Sequence, residues 1–560
     1  WRGGAVVFFS VPLTFALTLF SYYLLGYTLN RITLFALVFV VGIVVDDSII
    51  IAENMHRHFK MKRLPFSQAA IYAINEVGNP TILATFTVIA AILPMAFVSG
   101  MMGPYMSPMP IGASIAMLLS LFVALTVTPY LGYHLLQEKD EQEHKEHQGL
   151  ETSFIYKMYR KLEQPLLDSS KKRRLMLLTT VVLLLGSVAM FFGKQVLVKM
   201  LPFDNKNEFQ VVIDMPEGTT LERTSAVTKE IAQYLSAQPE VVNYQNYVGT
   251  SAPITFNGLV RHYDLRGGSN MADIQVNLLH KEDRNLQSHD IAKRIRAAIQ
   301  KIGLRYGANV KVIEVPPGPP VLSTLVAEIY GPNYEQQIKV AEQVKGILQK
   351  TPDIVDIDWM TEAPQTEYKF EVDKEKAMLS GIAPGQVVGN LTYLLKEYPV
   401  SDLHDARSND PVGIVLSIDD ADKTSLDDIK NLKIKGAQGQ VVSVGDLVQV
   451  KTDTLAKTIY RKDQKRVVYV TADMAGALES PVYAILGMNE KLQKIQLAKG
   501  YKINELYIEQ PNDESDFTIK WDGEWQITLE VFRDLGAAFL VVIIIIYMLI
   551  VGWFQNFKTP

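Results

Sequence analysis

Two adjacent aspartates lie inside an apolar segment, VVGIVVDDSIIIAEN, at residues 40–54. From Ile32 to Ala52 the chain holds fourteen Leu, Ile, Val or Phe residues, which together favour membrane insertion by about 4–8 kcal/mol. Asp46 and Asp47 oppose insertion by about 5–7 kcal/mol in total. Because the pair nearly cancels the affinity of the helix for lipid, we expect both carboxyl groups to be functional and to face the interior of a helix bundle.

Carboxyl groups at this depth can carry protons across a membrane. Asp46 is the fifteenth of 21 residues, and its neighbour Asp47 points about 100° away around the helix. Low dielectric and like charge both favour the neutral form, so a change in the surroundings can load or release a proton. The alternative is a static ion pair with a Lys or Arg of a neighbouring span. No span here has an obvious central Lys or Arg, and the two interpretations are compatible.

The elements that position this pair are apolar stretches long enough to cross a ~30 Å hydrocarbon core. Six such stretches occur, near residues 5–25, 32–52, 79–99, 110–133, 174–193 and 533–554. The first four form a membrane region at 1–137, and the last two form single spans within 173–194 and 529–556. A segment of ordinary soluble composition separates the fifth from the sixth. The sequence therefore predicts an α+β membrane protein with one large extramembrane region. Since the chain begins at Trp1, we expect it to be a piece of a longer polypeptide.

Basic residues predict the orientation in the membrane. Four Lys or Arg lie in MHRHFKMKRLPF, nine lie in residues 137–174, and none lies in the loop near 99–110. The basic loops are therefore predicted to be cytoplasmic. The soluble segment then lies on the opposite side, which is the periplasm in a bacterium with two membranes.

The cytoplasmic part is predicted to include two amphipathic helices on the membrane surface, at 66–78 and 154–170. Residues 138–172 form a linker followed by the second of these helices, and EKDEQEHKEHQ within it is strongly charged. His144 and His147 have a spacing that could bind a metal, but a solvated tether explains them better.

The soluble segment contains an internal repeat. Residues 209–249 and 325–360 both read as strand, helix, strand, and QPEVVNY matches TPDIVDI. ADIQVNLLH and its helix follow the first copy, and EYKFEVD and APGQVVGNLTYLL follow the second. This order predicts two ferredoxin-like (split βαβ) subdomains, at 195–320 and at 321–398 with a closing part at 476–528. PPGPPVLS (316–323) joins them, either as a plain linker or as a gating or substrate-facing loop, and 399–475 reads as a small mixed lobe.

Enzymatic chemistry has little support in the sequence. The chain has no cysteine, which excludes disulfides and thiolate metal sites. We find no nucleotide-binding glycine loop, zincin helix or nucleophile elbow. We therefore expect no enzyme activity, no cofactor, no metal site and no nucleic-acid partner.

Three stretches in this order resemble the resistance-nodulation-division (RND) exporters. They are GIVVDDSIIIAENMHRHF, GNPTILATFTVIAAILPMAFVSGMMG and LPFDNKNEFQVVIDMPEGTTLE. The resemblance covers essentially the whole chain and corresponds to the third to eighth membrane spans of such a transporter.

This resemblance implies a proton-driven homotrimeric permease in the inner membrane of a Gram-negative bacterium. It also implies a periplasmic adaptor (membrane fusion) protein and an outer-membrane channel as partners. By motif, the proton-relay aspartates of the family are Asp46 and Asp47. The repeat corresponds to porter subdomains and the mixed lobe to a docking lobe, whereas the spans that supply a Lys partner are absent here.

The resemblance favours amphiphilic drugs, dyes or detergents as substrates. In the metal-exporting branch the second acidic position of the motif is usually not Asp. The methionines of the soluble segment also show no clustering in the sequence. Heavy-metal efflux by the same mechanism remains an alternative, as does a proton-driven protein-translocation accessory factor, which would in general lack so large a second porter subdomain and docking lobe.

Overall fold

A computed structural model describes residues 1–137, 154–193, 195–196, 199, 203–253, 255–315, 318, 320–404, 406–497 and 501–558. The chain divides into two compact units. The larger unit comprises Trp1–Asp214, Glu222–Met360 and Tyr460–Pro560, and the smaller unit comprises Met215–Leu221 and Thr361–Ile459. The predicted linker with His144 and His147, and part of the predicted PPGPPVLS hinge, lie outside the described residues.

The helices are α1 (Arg2–Leu24), α2 (Arg31–Met61), α3 (Phe66–Ile92), α4 (Gly103–Met106), α5 (Pro108–Leu135), α6 (Phe154–Asp168), α7 (Ser170–Phe192), α8 (Leu221–Ser236), α9 (Phe256–Arg261), α10 (Ser288–Tyr306), α11 (Tyr334–Gln349), α12 (Lys374–Leu379), α13 (Pro384–Leu395), α14 (Leu426–Asn431), α15 (Val444–Leu447), α16 (Pro481–Leu492) and α17 (Glu524–Phe554). Short 3₁₀ helices occupy Leu93–Phe97, Gly100–Met102, Tyr263–Leu265 and Asp420–Lys423.

The strands are β1 (Glu208–Asp214), β2 (Val241–Thr250), β3 (Gly267–Leu278), β4 (Asn309–Ile313), β5 (Leu325–Tyr330), β6 (Ile354–Trp359), β7 (Thr366–Val372), β8 (Tyr398–Leu403), β9 (Val412–Leu416), β10 (Lys433–Lys435), β11 (Val441–Ser443), β12 (Val448–Thr454), β13 (Tyr460–Lys462), β14 (Lys465–Met474), β15 (Ile503–Leu506) and β16 (Phe517–Asp522).

All six predicted spans are helical in the structure, and each is long and apolar enough to cross a membrane. Helices satisfy their own backbone hydrogen bonds, which is the condition for a segment in lipid. α1, α2, α3 and α5 pack on one another, with small or flexible side chains such as Ala73, Ala124 and Met55 in the contacts. α17 lies against α3 and the 3₁₀ helix that follows it. The bundle α1–α2–α3–α5 therefore provides the interior that the aspartates need.

The predicted boundary between a surface helix at 66–78 and a span from 79 is wrong. α3 runs without interruption from Phe66 through Pro80 to Ile92. Proline removes one backbone hydrogen bond, but the first turns of α3 are held by Ala69 and Ala73, which are buried in a core shared with α2. Asn54 of α2 also donates to the Ala73 carbonyl at 2.9 Å. Tertiary packing therefore keeps the helix continuous. The second predicted amphipathic segment is α6.

The first sheet has the order β2-β3-β1-β4 and is antiparallel throughout. α8 connects β1 to β2 and α10 connects β3 to β4, so both connections are helical crossovers. α10 packs on β1 and β4. The five residues of β1 from Phe209 to Ile213 are all buried. Because successive side chains of a strand point to opposite faces, this central strand is covered on both faces of the sheet.

The second sheet has the order β13-β14-β5-β16-β15. β13 pairs with the beginning of β14, and β6 pairs with the end of β14, on the same edge. β15 and β16 are parallel, and the other pairs are antiparallel. α11 connects β5 to β6, and α16 follows β14. Ile329, Val470, Ile485 and Trp521 belong to one buried core. The order β6-β14-β5-β16 repeats that of the first sheet.

The expected continuation of the second repeat by EYKFEVD is wrong. That segment is β7, which pairs with β12 in the smaller unit, and the third strand of the second repeat is β14. The alternating residues Val468, Val470 and Ala472 of β14 complete the core of the second sheet, whereas β7 has no fully buried side chain. In the order of the chain, the main segment of the smaller unit is therefore inserted between the second and third strands of the repeat. This segment is 361–459 rather than the predicted 399–475.

The smaller unit has its own apolar core, centred on Ala377, Val387, Val444 and Leu447. Its strands form three antiparallel pairs, β7–β12, β8–β9 and β10–β11. A separate core shows that this unit is a structural module of its own.

One residue connects the second sheet to the last span. β16 ends at Asp522, α17 begins at Glu524, and Gly523 between them has φ +80. A Cβ on Gly523 would clash with the Ser323 carbonyl. Trp521 and Trp525 on either side are buried in the core of the second sheet. The start of α17 is therefore fixed to the sheet by packing.

We expect Gly523→Ala to destabilise the purified chain. A side chain at this φ costs about 1–3 kcal/mol, in addition to the clash. Thermal unfolding in detergent would show a lower midpoint. Gly536→Ala is the matched control, because Gly536 is helical and a Cβ there meets no atom within 4 Å. Equal midpoints for the two variants would contradict the prediction.

Candidate functional site

Asp47 is buried at the contact of three helices. Its side chain is on α2, and the residue is 8 % exposed. Thr85 Oγ1 of α3 donates to Asp47 Oδ1 at 3.3 Å, and Ser120 Oγ of α5 donates to Oδ2 at 3.2 Å. Each carboxylate oxygen therefore has a hydroxyl donor from a different neighbouring helix.

Both hydroxyl groups also lie near a backbone acceptor. Thr85 Oγ1 is 3.0 Å from the Thr81 carbonyl, and Ser120 Oγ is 2.8 Å from the Val44 carbonyl. A hydroxyl has one proton and two lone pairs. It can donate to an ionised Asp47, or it can donate to the backbone and accept a hydrogen bond from the O–H of a neutral Asp47. The site thus has hydrogen-bond partners for both protonation states.

Asp46 is exposed on the surface of the described bundle. The angle of about 100° between adjacent helical residues takes its side chain away from the α3 and α5 contact. Among the described residues, neither aspartate forms an ion pair. The structure therefore places only one of the two predicted residues in the bundle interior.

A line of buried hydroxyl groups continues from the site into α1. Ser48 Oγ lies 3.3 Å from Thr128 Oγ1, which lies 3.0 Å from Ser10 Oγ. Thr14 and Thr18 continue the α1 face at intervals of four residues, and each donates to the carbonyl four positions earlier. Hydroxyl side chains are frequent at contacts between membrane helices, where they form hydrogen bonds across the interface. This line therefore joins α1 to α5 and α2.

A second polar contact joins α2 to α3. Asn54 Nδ2 donates to Glu76 Oε2 at 3.1 Å, and His58 Nε2 lies 2.7 Å from the same oxygen. These residues position α3, which carries Thr85, against α2, which carries Asp47. The part of the chain that the structure describes holds no group of three or more His, Asp or Glu arranged for a metal.

The sequence alone did not predict a role for Thr85 or Ser120. The available signal was a hydroxyl residue within an apolar run, ILATFTVIAA for Thr85 and AMLLSLFVAL for Ser120. Thr126 occurs in a similar setting but is exposed and bonds only its own helix backbone. The pattern therefore indicates candidates without selecting the two that reach Asp47.

We expect Ser120→Ala to destabilise the bundle by about 1–3 kcal/mol, because it removes one of the two donors to a buried carboxyl group. The C=O stretching band of protonated Asp47, followed by infrared spectroscopy, should also move to higher wavenumber. Ser114→Ala is the control, since Ser114 is buried on the same helix and bonds only the Pro110 carbonyl. An unchanged band in Ser120→Ala would show that Ser120 does not contact Asp47.

The sequence is similar to that of known membrane transport proteins. A family model described as the AcrB/AcrD/AcrF family matches residues 1–560. Swarming motility protein SwrC of Bacillus subtilis is 24% identical over 98% of this chain and 49% of its own length. Multidrug export protein AcrF of Escherichia coli is 22% identical over 74% of this chain and 40% of its own length.

Multidrug resistance protein MdtC of Pectobacterium atrosepticum is 22% identical over 76% of this chain and 40% of its own length. The chain thus spans about half the length of the curated relatives it matches. The family match covers every residue, including the apolar helices and both sheets. The chain therefore belongs to the AcrB/AcrD/AcrF family of RND permeases.

Proposed function

We propose that this chain is part of a transporter that uses the proton motive force to export amphiphilic drugs, dyes or detergents in exchange for protons. The observation that supports the proposal is the burial of the Asp47 carboxyl group between α2, α3 and α5. Its partners among the described residues are the hydroxyl groups of Thr85 and Ser120. The names of the relatives AcrF and MdtC, which refer to multidrug export and resistance, support the substrate class.

Proton loading would change the hydrogen bonds of the site in a defined way. With Asp47 ionised, the Thr85 and Ser120 hydroxyl groups point to the carboxylate. When Asp47 takes a proton, at least one hydroxyl turns to its backbone carbonyl and accepts the new O–H. The pull between α2 and the other two helices then weakens, because charge-assisted hydrogen bonds are about twice as strong as neutral ones.

The energy available is sufficient for such a step. One elementary charge crossing a membrane potential of 100 mV releases about 2.3 kcal/mol. This exceeds the difference of roughly 1 kcal/mol between a hydrogen bond to a charged group and a hydrogen bond between neutral groups. A proton moving through the site can therefore shift α3 and α5 relative to α2.

Asp46 is proposed as the second member of the relay. Its exposed position leaves it accessible to a partner group outside the described bundle. The family resemblance implies a Lys on a later span as that partner, which would draw Asp46 into an ion pair when both aspartates are ionised. In this arrangement Asp47 responds to hydroxyl groups of this chain and Asp46 to a cation.

The extramembrane segment is proposed to lie in the periplasm of a Gram-negative bacterium. We propose that its two sheets are ferredoxin-like porter subdomains and that the smaller unit is a docking lobe. The shared strand order, β2-β3-β1-β4 and β6-β14-β5-β16, supports the first assignment. The complete protein is proposed to act as a homotrimer in the inner membrane with a periplasmic adaptor and an outer-membrane channel.

Two methionines of the soluble segment support an organic substrate over a soft metal cation. Met474 and Met488 are 3% and 0% exposed and belong to the apolar core of the second sheet. Their thioethers fill space among aliphatic side chains, which is the usual role of buried methionine.

We expect Asp47→Asn and Asp46→Asn, each in the intact parent protein, to abolish export while leaving folding and trimer formation unchanged. Asparagine keeps the size of the side chain but cannot carry a proton. Cells that lack their own pumps would accumulate a fluorescent amphiphile as if they had no transporter. Asp427→Asn is the control, because that carboxylate is exposed on the smaller unit.

Cu(I) and Zn(II) tolerance measured in the same strains separates the alternatives. Loss of metal tolerance with unchanged dye export would show that the substrate assignment is wrong. Full dye export by both aspartate variants at equal protein levels would refute the proton relay itself.

A further inference from the structure

The two sheets of the larger unit meet through charged side chains. We call residues 203–214 with 222–315 the first block and residues 320–360 with 460–523 the second block. β4 and β6 are the facing edges, and Asn309 Nδ2 donates to the Ile357 carbonyl across them at 3.4 Å. The ion pairs between the blocks are Arg261–Asp473, His289–Glu479, Lys293–Glu479, Arg296–Asp356 and Lys311–Asp358.

The positive and negative charges of these ion pairs are on different blocks. In each pair the first block supplies the cation and the second block supplies the carboxylate. Among the described residues, no ion pair runs in the opposite sense. Burial opposes the charge on His289, but hydrogen bonds to Glu314 and Glu479 outweigh it and raise the pKa of His289 to about 9. His289 is therefore a cation at neutral pH and belongs to the same set.

Two of the pairs are almost fully buried. Arg261 Nη1 lies 2.7 Å from Asp473 Oδ2, with the Arg261 side chain 6% exposed. Arg296 Nη2 lies 3.2 Å from Asp356 Oδ2, and their side chains are 8% and 1% exposed. Asp356 also accepts from the Val312 N–H at 3.2 Å. Breaking one partner of such a pair is costly, because it leaves a buried charge uncompensated.

Lys311 and His289 have alternative partners within their own block, and Lys293, whose side chain is 34% exposed, is accessible to water. Lys311 Nζ lies 2.6 Å from Asp214 Oδ2, and His289 Nδ1 lies 2.7 Å from Glu314 Oε2. The described carboxylate partners of Arg261 and Arg296 are in the second block only. Separation of the blocks would therefore leave Lys311 and His289 paired but would release both arginines. These two arginines determine how firmly the blocks are held.

The interface differs from the interior of each block. The second block has an apolar core that includes Ile329, Val470 and Trp521, and the first has buried Phe209 and Ile295. An ionic contact between two separately cored bodies can open without exposing a core, because water solvates the separated charges. Interfaces within a chain that are polar in this way allow relative motion of the parts.

We propose that the Arg261–Asp473 and Arg296–Asp356 pairs form an ionic latch that holds the two blocks closed and opens during transport. The statement that the latch opens during transport rests on the proposed function. The latch itself is a property of the folded chain and can be tested without transport.

Val312 provides a reporter of opening. It is 1% exposed and lines a small cavity between the blocks together with Arg261, Arg296 and Asp473. The chain has no cysteine of its own. A Val312→Cys variant of the full chain in detergent would react with a maleimide only when the blocks separate. We expect slow labelling at low salt and faster labelling at high salt, because mobile ions stabilise the separated charges.

The latch pairs are removed in the Val312→Cys background as Arg296→Gln with Asp356→Asn, and as Arg261→Gln with Asp473→Asn. Both double variants avoid an unpaired buried charge, and each should label about ten-fold faster, equivalent to 1.4 kcal/mol. Arg294→Gln is the matched control, because Arg294 is on the same helix as Arg296 but pairs with Glu240 of its own block. Circular dichroism checks that each variant is folded.

Labelling of both double variants at the rate of Arg294→Gln would overturn the latch, as would a rate that does not respond to salt. If the circular dichroism shows that a double variant is unfolded, the salt response of Val312→Cys decides alone. In cells that express the intact parent, a transported dye should accelerate labelling, and Asp47→Asn should abolish this acceleration. Fast labelling of the double variants together with full transport by Asp47→Asn would leave the latch intact and refute the proposed function.

Discussion

The arrangement of the membrane helices depends on one constraint, the burial of the Asp47 carboxyl group in an apolar bundle. An ionised carboxylate at this depth requires partners, and the partners are hydroxyl groups of α3 and α5. Those contacts fix the rotation of α2, because only one face of the helix can present Asp47 to both neighbours. The Asn54–Glu76–His58 contact, two turns along α2, holds α3 in the same register.

Composition and hydropathy were sufficient to predict the six spans and the position of a costly aspartate within them. They could not predict which aspartate faces inward. Asp46 and Asp47 have the same immediate environment in the sequence, and the difference arises from how α2 is turned towards α3 and α5. The hydroxyl partners also could not be predicted from the sequence, because Thr85, Ser120 and several other hydroxyl residues occur in similar apolar runs.

In the soluble segment, too, local elements could be predicted from the sequence, whereas contacts between distant residues could not. Strand and helix patterns repeat in the sequence, and they predicted the repeated βα elements. They could not show that the second repeat is interrupted, because β7 and β14 both read as half-buried strands. The choice between them depends on pairing with β5, more than 100 residues before β14. The burial of Val468 and Val470 in the completed core agrees with this pairing.

Buried charge is satisfied in two ways in this molecule, and the two ways respond to different events. Hydroxyl groups can serve either protonation state of Asp47, so the site tolerates the gain or loss of a proton without losing its hydrogen bonds. Arginine–carboxylate pairs between the sheets lack that tolerance, because arginine keeps its proton and needs an anion or water beside it. The bundle is therefore suited to respond to protons, and the contact between the sheets is suited to respond to movement. α17, anchored in the second sheet by Trp525 and packed against α3, connects the two.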